Sequence, residues 1–291
     1  MPRRTSPFFL PVAWAQNLAI SALIGGLRLL PYRRRIPFGG WAVSHLVAPL
    51  AGWPARIRAN LALVWPDLPP GAAARLVRAV CDNAGRTLAE LYSPEDFKAR
   101  VRATPIRGAG LEAILAARSR GQGVILVSGH FGNHDIARAV LAGRGLAVGA
   151  LYKPQRNPYV EAHFRATIGA ISEPIFARGR KGLADLVRHV KSGGMVGILI
   201  DQRIAHGAAL DFLGHRALTA TSAAELALKY DCLLVPVYGI RQPDGLSFEL
   251  VVEEPIAHTT PQAMTQAIND SLAARVREHP EQWFWIHRRW K

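Results

Sequence analysis

Cysteine is scarce in this chain. Its 291 residues hold only Cys81 and Cys232, too few for a disulfide framework or a cysteine-built zinc site, and each reads as a small buried thiol. Acidic residues are also under-represented: 21 Asp and Glu stand against 36 Lys and Arg, a net charge of +15. Lysine is itself rare, six of those 36, so the positive charge is carried by arginine. There is no internal repeat or low-complexity linker, and the 26 Gly and 20 Pro keep no fixed period, which excludes a fibrous architecture. A composition of 49% hydrophobic and 20% charged residues excludes disorder as the main state. The length fits one large domain or two small ones around a real core. The charge surplus points to a polyanionic partner, either nucleic acid or an anionic membrane surface.

Residues 8–27 contain no charged side chain, and twenty residues are enough to cross a hydrocarbon core. Pro11, Gln16 and Asn17 interrupt the run. Arg3 and Arg4 precede it, and Arg28, Arg33, Arg34 and Arg35 follow it. A small-residue cleavage site leading into a disulfide-rich body is missing, so a retained anchor, spanning or interfacial, is expected rather than a signal peptide. The arginines after the segment would hold the body on the cytoplasmic side. The alternative is an amphipathic helix packed on the domain itself. Between residues 36 and 65, Phe38, Trp41, Trp53 and Trp65 occur with Arg56 and Arg58, a mixture suited to the headgroup boundary; an ordinary amphipathic helical pair is the other reading. The expected organisation is an anchor over 1–35, a helical membrane-proximal region over 36–100 and an α/β domain over 101–291.

In the body, helical spacing covers 70–93 and 111–120. Short apolar runs then alternate with helical ones: strands at 123–128, 147–152, 173–177 and 195–200, and helices at 134–142, 158–170, 181–193 and 219–230. Two further strands, 232–240 and 246–252, are joined by a turn at Pro243-Asp244-Gly245, and a helix over 261–278 closes the body. Apolar strands bounded by glycine and separated by helices predict an α/β fold with a central, mainly parallel sheet flanked by helices, preceded by the membrane-anchoring helical segment. Ligands in such sheets collect at the carboxyl ends of strands. Three of these ends carry chemistry: Ser128–Asp135, Tyr152–Pro158 and Asp201–Arg203.

The first of these reads Ser-Gly-His-Phe-Gly-Asn-His-Asp. With His130 in the turn and Asp135 in the first turn of the next helix, the carboxylate folds back onto the imidazole, fixes its tautomer and stabilises its protonated form. The result is a general base poised near neutral pH, and the two glycines would let substrate approach the backbone. The bland alternative is a histidine and an acid that merely cap the turn. Gly-Asn-His-Asp also occurs in two-metal phosphoesterases, but those need further ligands. No Asp-x-His precedes residue 130, and His206 and His215 lack matching spacing. The His130/His134 pair has no convincing third metal ligand, so no metal is expected.

The ordered set of motifs resembles the lipid A late acyltransferases, the lauroyl and myristoyl transferases within the lysophospholipid acyltransferase superfamily. The resemblance rests on His130-x-x-x-x-Asp135, on Tyr152-Lys153-Pro154-Gln155-Arg156-Asn157-Pro158, and on Leu199-Ile200-Asp201-Gln202. It continues through Val235-Pro236 and the terminal Pro280-Glu281-Gln282-Trp283-Phe284-Trp285-Ile286-His287-Arg288-Arg289-Trp290-Lys291. It thus covers nearly the whole chain. The departures are Asp135 in place of the more frequent Glu, Lys153 in place of Arg, and Asp201 without a preceding proline; Lys153 keeps the charge but loses the bidentate fork. The resemblance implies a glycerol-phosphate-acyltransferase-like fold and transfer of an acyl chain from acyl carrier protein to a hydroxyl of a lipid A precursor. His130 would take the proton and Asp135 support it, with neither metal nor cofactor. It also implies a place on the inner membrane with the catalytic part facing the cytoplasm. The oxyanion would be met by backbone N–H groups near Gly129–Gly132 or by a cationic side chain.

Other polar residues join this candidate site. Lys153, Arg156 and Asn157 would grip a phosphate or sugar of the acceptor, or form only a solvated turn. Arg178 and Lys181 lie at a helix start suited to anions. Asp201 would reach His130 as a second acid, as the resemblance to a related mannoside acyltransferase group implies, or pair with Arg203. Phe212 would touch an acyl chain or pack in the core. Trp283, Trp285 and Trp290 are expected to form a packed aromatic face with the neighbouring arginines outside. Other glycolipid or aminolipid acceptors remain open. A non-catalytic basic surface or nucleic-acid binder would explain the charge, but the chain has no helix-turn-helix, zinc module or RNP signature, so no nucleic-acid partner is expected.

Overall fold

The structure, a computed structural model, describes residues 9–290. Arg3, Arg4 and Phe8 at one end and Lys291 at the other lie outside the described residues. The chain begins with helix α1 (Phe9–Arg28), followed by α2 (Tyr32–Ala42), a π-helical turn (Val43–Val47), α3 (Ala48–Leu50) and α4 (Trp53–Val64). α1 is long and apolar enough to cross a membrane, and little of it is buried. It meets the body through Ala13, through backbone carbonyls and through Arg28 Nε, which donates to the Tyr92 carbonyl at 3.0 Å. Ala13 is buried and its carbonyl accepts a hydrogen bond of 2.7 Å from Asn157 Nδ2, while the Arg28 carbonyl accepts one from Arg35. Outward-facing Leu10, Trp14, Leu18 and Leu23 are left exposed, as are Phe38, Trp41 and Leu50 on the elements that follow.

Helix α5 (Pro70–Leu91) starts with Pro70 at its first position, where the missing N–H is harmless, and buries Val77, Val80, Cys81 and Glu90. Helix α6 (Pro94–Val101) leads to strand β1 (Ile106–Arg107) and helix α7 (Gly110–Ser119). The elements that follow alternate as the apolar runs predict. They are β2 (Val124–Ser128), α8 (Ile136–Ala142), β3 (Val148–Tyr152), α9 (Pro158–Ile171), β4 (Ile175–Ala177), α10 (Arg180–Lys191) and β5 (Met195–Leu199). A hairpin of β6 (Ala208–Phe212) and β7 (His215–Thr219) then precedes α11 (Ser222–Tyr230), β8 (Leu233–Arg241), β9 (Phe248–Val252) and α12 (Pro261–Glu278).

The main sheet has seven strands in the order β1-β9-β8-β2-β5-β3-β4, all parallel to their neighbours except at the β8–β9 hairpin. β2 is buried on both faces, which is why it reads as an unbroken apolar run. One face packs Leu126, Val148, Met195 and Val237 against α8; the other packs Ile125, Val127 and Val196 against α10, α11 and α12. Two details of register position the site. β2 and β5 pair up to Ser128↔Leu199 at the carboxyl edge, whereas β3 and β5 pair only as far as Ala150↔Gly197. Beyond that last pair β3 stays with β4, so the sheet splits.

Candidate active site

His130 stands two residues past the end of β2, and Asp201 two residues past the end of β5. Since Ser128 and Leu199 are register partners, the same step off each strand brings His130 and Asp201 face to face. Asp201 Oδ1 accepts a 2.8 Å hydrogen bond from His130 Nδ1, and Oδ2 accepts from the His130 backbone N–H at 2.8 Å and from Trp283 Nε1 at 3.0 Å. Asp201 is wholly buried. Burial alone would raise its carboxyl, but the His130 charge and hydrogen bonds outweigh this and hold it far below the usual carboxylate range. Burial likewise opposes charge on His130, yet Asp201 overrides it and leaves the imidazole a stronger base than a free histidine. With Nδ1 committed to Asp201, Nε2 is the nitrogen left for chemistry.

Asp135 does not form the expected hydrogen bond to His130. Its Oδ1 accepts from Arg138 Nη1 at 2.7 Å. Burial would raise this carboxyl, but the guanidinium beside it keeps it below the ordinary range. Arg138 is itself buried and donates onward to the carbonyls of Val148 and Ile168. Asp135 therefore ties α8 to β3 and α9, and reaches His130 only through its field. His134 lies alongside, 5.3 Å from the His130 ring, and burial pushes it below the ordinary histidine value.

The loop is held by groups that motif reading did not include. The wholly buried Glu90 takes Arg241 through two bonds of 2.6 and 2.8 Å and accepts from Asn133 Nδ2 at 2.8 Å. Asn133 Oδ1 in turn accepts the Asp135 N–H. Gln282 bonds both the N–H and the carbonyl of Arg241, and its own carbonyl accepts the Gly132 N–H at 2.8 Å. Gly132 sits at φ +53°, and a Cβ there would lie 1.9 Å from the Gly239 carbonyl oxygen. The close approach expected of this glycine is thus made to the protein's own backbone. Three of the expected backbone oxyanion donors are taken up within the protein. The N–H groups of His130, Phe131 and Gly132 already serve Asp201, the Gly129 carbonyl and the Gln282 carbonyl. The Gly129 N–H and a cationic side chain are the expected donors that these bonds leave.

A cavity of about 670 Å³ opens beside His130 and descends into the split between β3 and β5. Its wall is mainly apolar, with Leu126, Ala150, Leu151, Phe164, Ile168 and Ile198 among the lining side chains. Lys153 and Arg178 are the exposed cations at its rim. A second, open groove of about 710 Å³ lies between α1 and the loop after β3, lined by Gln16, Ile20, Lys153, Arg156 and Asn157. Lys153 and Gln155 line both spaces. Asn157 also caps α9, its Oδ1 accepting from Tyr159 N–H at 3.0 Å. Of the other candidates, Lys181 and Arg203 are exposed and line neither space, and Asp201 pairs with His130 rather than with Arg203. Phe212 is buried against Trp283 and Trp290 with Arg289 over its ring, away from the cavity.

The aromatic face at the carboxyl end packs as expected, with Trp283 and Trp285 buried, but the arginines do not both stay outside. Arg288 is exposed, whereas Arg289 is wholly buried and donates to the Leu218 carbonyl at 3.0 Å and to Thr219 Oγ1 at 2.7 Å. Burial pulls its guanidinium down to about 10. His287 packs edge-on against His130 with centroids 4.7 Å apart. His130, Asp201 and His287 place potential metal-ligand atoms within 4.8 Å of one another. Both Asp201 oxygens are already occupied by N–H donors, so this set fits proton chemistry better than a cation. Burial lowers His287 to about 4. The unfolded chain binds this proton near pH 6.5 and the folded chain only near pH 4. Its contribution to stability is therefore complete above pH 6.5 and lost as pH falls toward 4, by about 3 kcal/mol. His287→Gln should flatten the fall of Tm over that window relative to wild type, as measured by thermal melts at graded pH; parallel curves would contradict it.

Residues 1–291 match the family model described as bacterial lipid A biosynthesis acyltransferase. The chain is 24% identical to the lipid A biosynthesis acyltransferase of Haemophilus influenzae over 61% of this chain and 56% of that protein. It is 24% identical to the lipid A biosynthesis lauroyltransferase of Escherichia coli over 81% of this chain and 78% of that protein. It is also 24% identical to the phosphatidylinositol mannoside acyltransferase of Mycobacterium tuberculosis over 82% of this chain and 78% of that protein. With a family match along its whole length and a histidine–carboxylate pair at the carboxyl edge of a mainly parallel sheet, the chain belongs to the bacterial lipid A biosynthesis acyltransferase family.

Proposed function

We propose that this protein moves a fatty acyl chain from the thioester of acyl carrier protein to a hydroxyl group of a lipid A precursor. The observation that carries the reading is the His130–Asp201 pair at the mouth of an apolar cavity. The acceptor hydroxyl attacks the thioester carbonyl while its proton passes to His130 Nε2. Asp201 holds the Nδ1–H tautomer and stabilises the imidazolium. The tetrahedral intermediate collapses with cleavage of the C–S bond, and the imidazolium returns the proton to the departing thiolate. Lys153 or Arg178, at the rim of the same cavity, supplies positive charge to the oxyanion. No covalent acyl-enzyme is needed. His130 is the catalytic residue; Asp201 is a positioning residue through its direct bond, and Asp135, paired with Arg138, holds the start of α8 behind it.

The membrane side of the reading uses α1 and the groove beside it. Residues 1–35 serve as anchor, 36–100 lie near the bilayer and 101–291 carry the chemistry. Arg28, Arg33, Arg34 and Arg35 favour the cytoplasmic face of the inner membrane, and the +15 net charge favours its anionic lipids. Lys153 and Arg156, facing α1 across the groove, suit the phosphate of an amphiphilic acceptor that reaches the site from the bilayer. Arg156→Ala should raise KM for the acceptor about fivefold, the scale of one exposed charge contact, and leave kcat within about twofold. An equal fall in kcat would move Arg156 into the transition state.

The mannoside acyltransferases among the relatives support a second acceptor class. Purified protein in mixed micelles, given radiolabelled lauroyl-acyl carrier protein with a lipid A precursor or with a phosphatidylinositol mannoside, separates the two. Label in the lipid A precursor, abolished in His130→Ala, is expected. Label only in the mannoside favours the second reading, and label in neither overturns both.

A further inference from the structure

We propose that the Ala150–Gly197 pair, at the vertex where β3 and β5 part, sets the length of acyl chain that the enzyme accepts. This rests on the acyl-transfer reading above. The two residues are the last register partners of their strands, and both line the cavity. Gly197 is also the partner of Leu126 on β2, so the row Leu126–Gly197–Ala150 crosses the cavity floor with one bulky side chain, none and a methyl. By the strand rise, the row lies about 7 Å below the level of Leu199, and further still below His130. An alkyl tail whose carboxyl carbon is held at His130 must cross this row to reach Val148 and Ile168 beyond it.

The glycine has no backbone reason to be there. Glycine inside a buried strand weakens it and often marks a close approach by a ligand or another backbone. At Gly149, next along β3 from the vertex, a Cβ would lie 2.9 Å from the Pro174 carbonyl oxygen. At Gly197 a Cβ would meet nothing nearer than the Gly149 carbonyl oxygen at 3.8 Å and Val148 Cγ1 at 3.9 Å, and its φ is not in the left-handed region. The protein could place a side chain here and does not. The space is left toward a cavity with an apolar wall, and a flexible hydrocarbon tail is the occupant that fits both shape and chemistry.

The test is a competition among decanoyl-, lauroyl-, myristoyl- and palmitoyl-acyl carrier protein for one lipid A precursor, read by mass spectrometry of the product. Wild type and Gly197→Val are compared after thermal melts establish that the variant is folded. Each methylene shut out of an apolar pocket changes affinity by about fourfold, so excluding two should shift the ratio of kcat/KM toward the shorter chain by about tenfold or more. Ala150→Val, which fills the vertex from the other strand, should shift it the same way. If Gly197→Val does not fold, Gly197→Ala, which meets only ordinary contacts, replaces it with a smaller shift in the same direction. An unchanged chain preference in the folded variants, or an equal loss for every chain length, overturns the assignment. Failure of wild type to transfer any of the four chains, either to the lipid A precursor or to a phosphatidylinositol mannoside supplied in its place, would instead overturn the acyl-transfer reading.

Discussion

Asp201→Asn should lower kcat/KM by about 10²–10⁴ while leaving the fold intact. An amide at this position can still accept from the His130 backbone N–H and from Trp283 Nε1, so the local packing survives. Its NH₂ group would face Nδ1 and drive the imidazole to the tautomer with hydrogen on Nε2, which cannot take a proton from the acceptor. Asp135→Asn should behave differently. It weakens a buried pair with Arg138, and removing one partner of such a pair costs about 3–5 kcal/mol where the other charge is left uncompensated. An Asn retains one acceptor oxygen, so the loss falls toward the lower end. Its expected signature is a lowered Tm with a smaller fall in turnover, read by thermal melts and steady-state kinetics on the same preparations. A Tm as high as wild type together with the larger kinetic loss would put Asp135, not Asp201, in support of His130.

Arg241→Ala is expected to produce the largest loss of stability. Arg241 and Glu90 are both buried and share two charge-assisted bonds. Removing the guanidinium leaves a carboxylate inside the protein that, among the described residues, keeps a hydrogen bond from the Asn133 amide alone. About 3–5 kcal/mol is the usual scale, a fall in Tm of about 10 °C or more for a chain of this size. Replacing both partners together, as Glu90→Leu with Arg241→Met, removes the uncompensated charge and should recover part of the Tm. Activity should not recover with it, because Asn133 then loses its anchor and the His130 loop its register. Recovery of full turnover in the double variant would show that Glu90 serves stability alone.

The alternation of apolar runs with helical spacing placed the strands and helices of the parallel sheet to within a few residues, because a strand buried on both faces carries an unmistakable pattern. The β6–β7 hairpin was not legible. Its strands are short, His215 and Arg216 break the apolar pattern, and its loop uses Leu213 and Gly214 at positive φ instead of an Asn-Gly or Asp-Gly signal. The partner of His130 was half legible. Sequence proximity favours Asp135, five residues away, but Arg138 captures that carboxylate from the next helical turn. Asp201 is 71 residues away, and its closeness depends on β2 and β5 being neighbours, a fact of sheet order that no local pattern contains. Arg289 teaches the same point: beside the exposed Arg288 it reads as surface, yet the Leu218 and Thr219 acceptors at the end of β7 draw it inside.

The pH dependence of kcat/KM for the wild-type enzyme and its Asp201→Asn and Asp135→Asn variants tests the central claim most directly. Asp201 raises the His130 value against the opposing effect of burial, so the wild-type acid limb should have its midpoint above the ordinary histidine value of about 6.5. Without that charge burial prevails, and the residual activity of Asp201→Asn should show a midpoint shifted to lower pH. Asp135→Asn should move it little, since Arg138 already neutralises that carboxylate. A midpoint that stays fixed in Asp201→Asn and moves in Asp135→Asn would contradict the account.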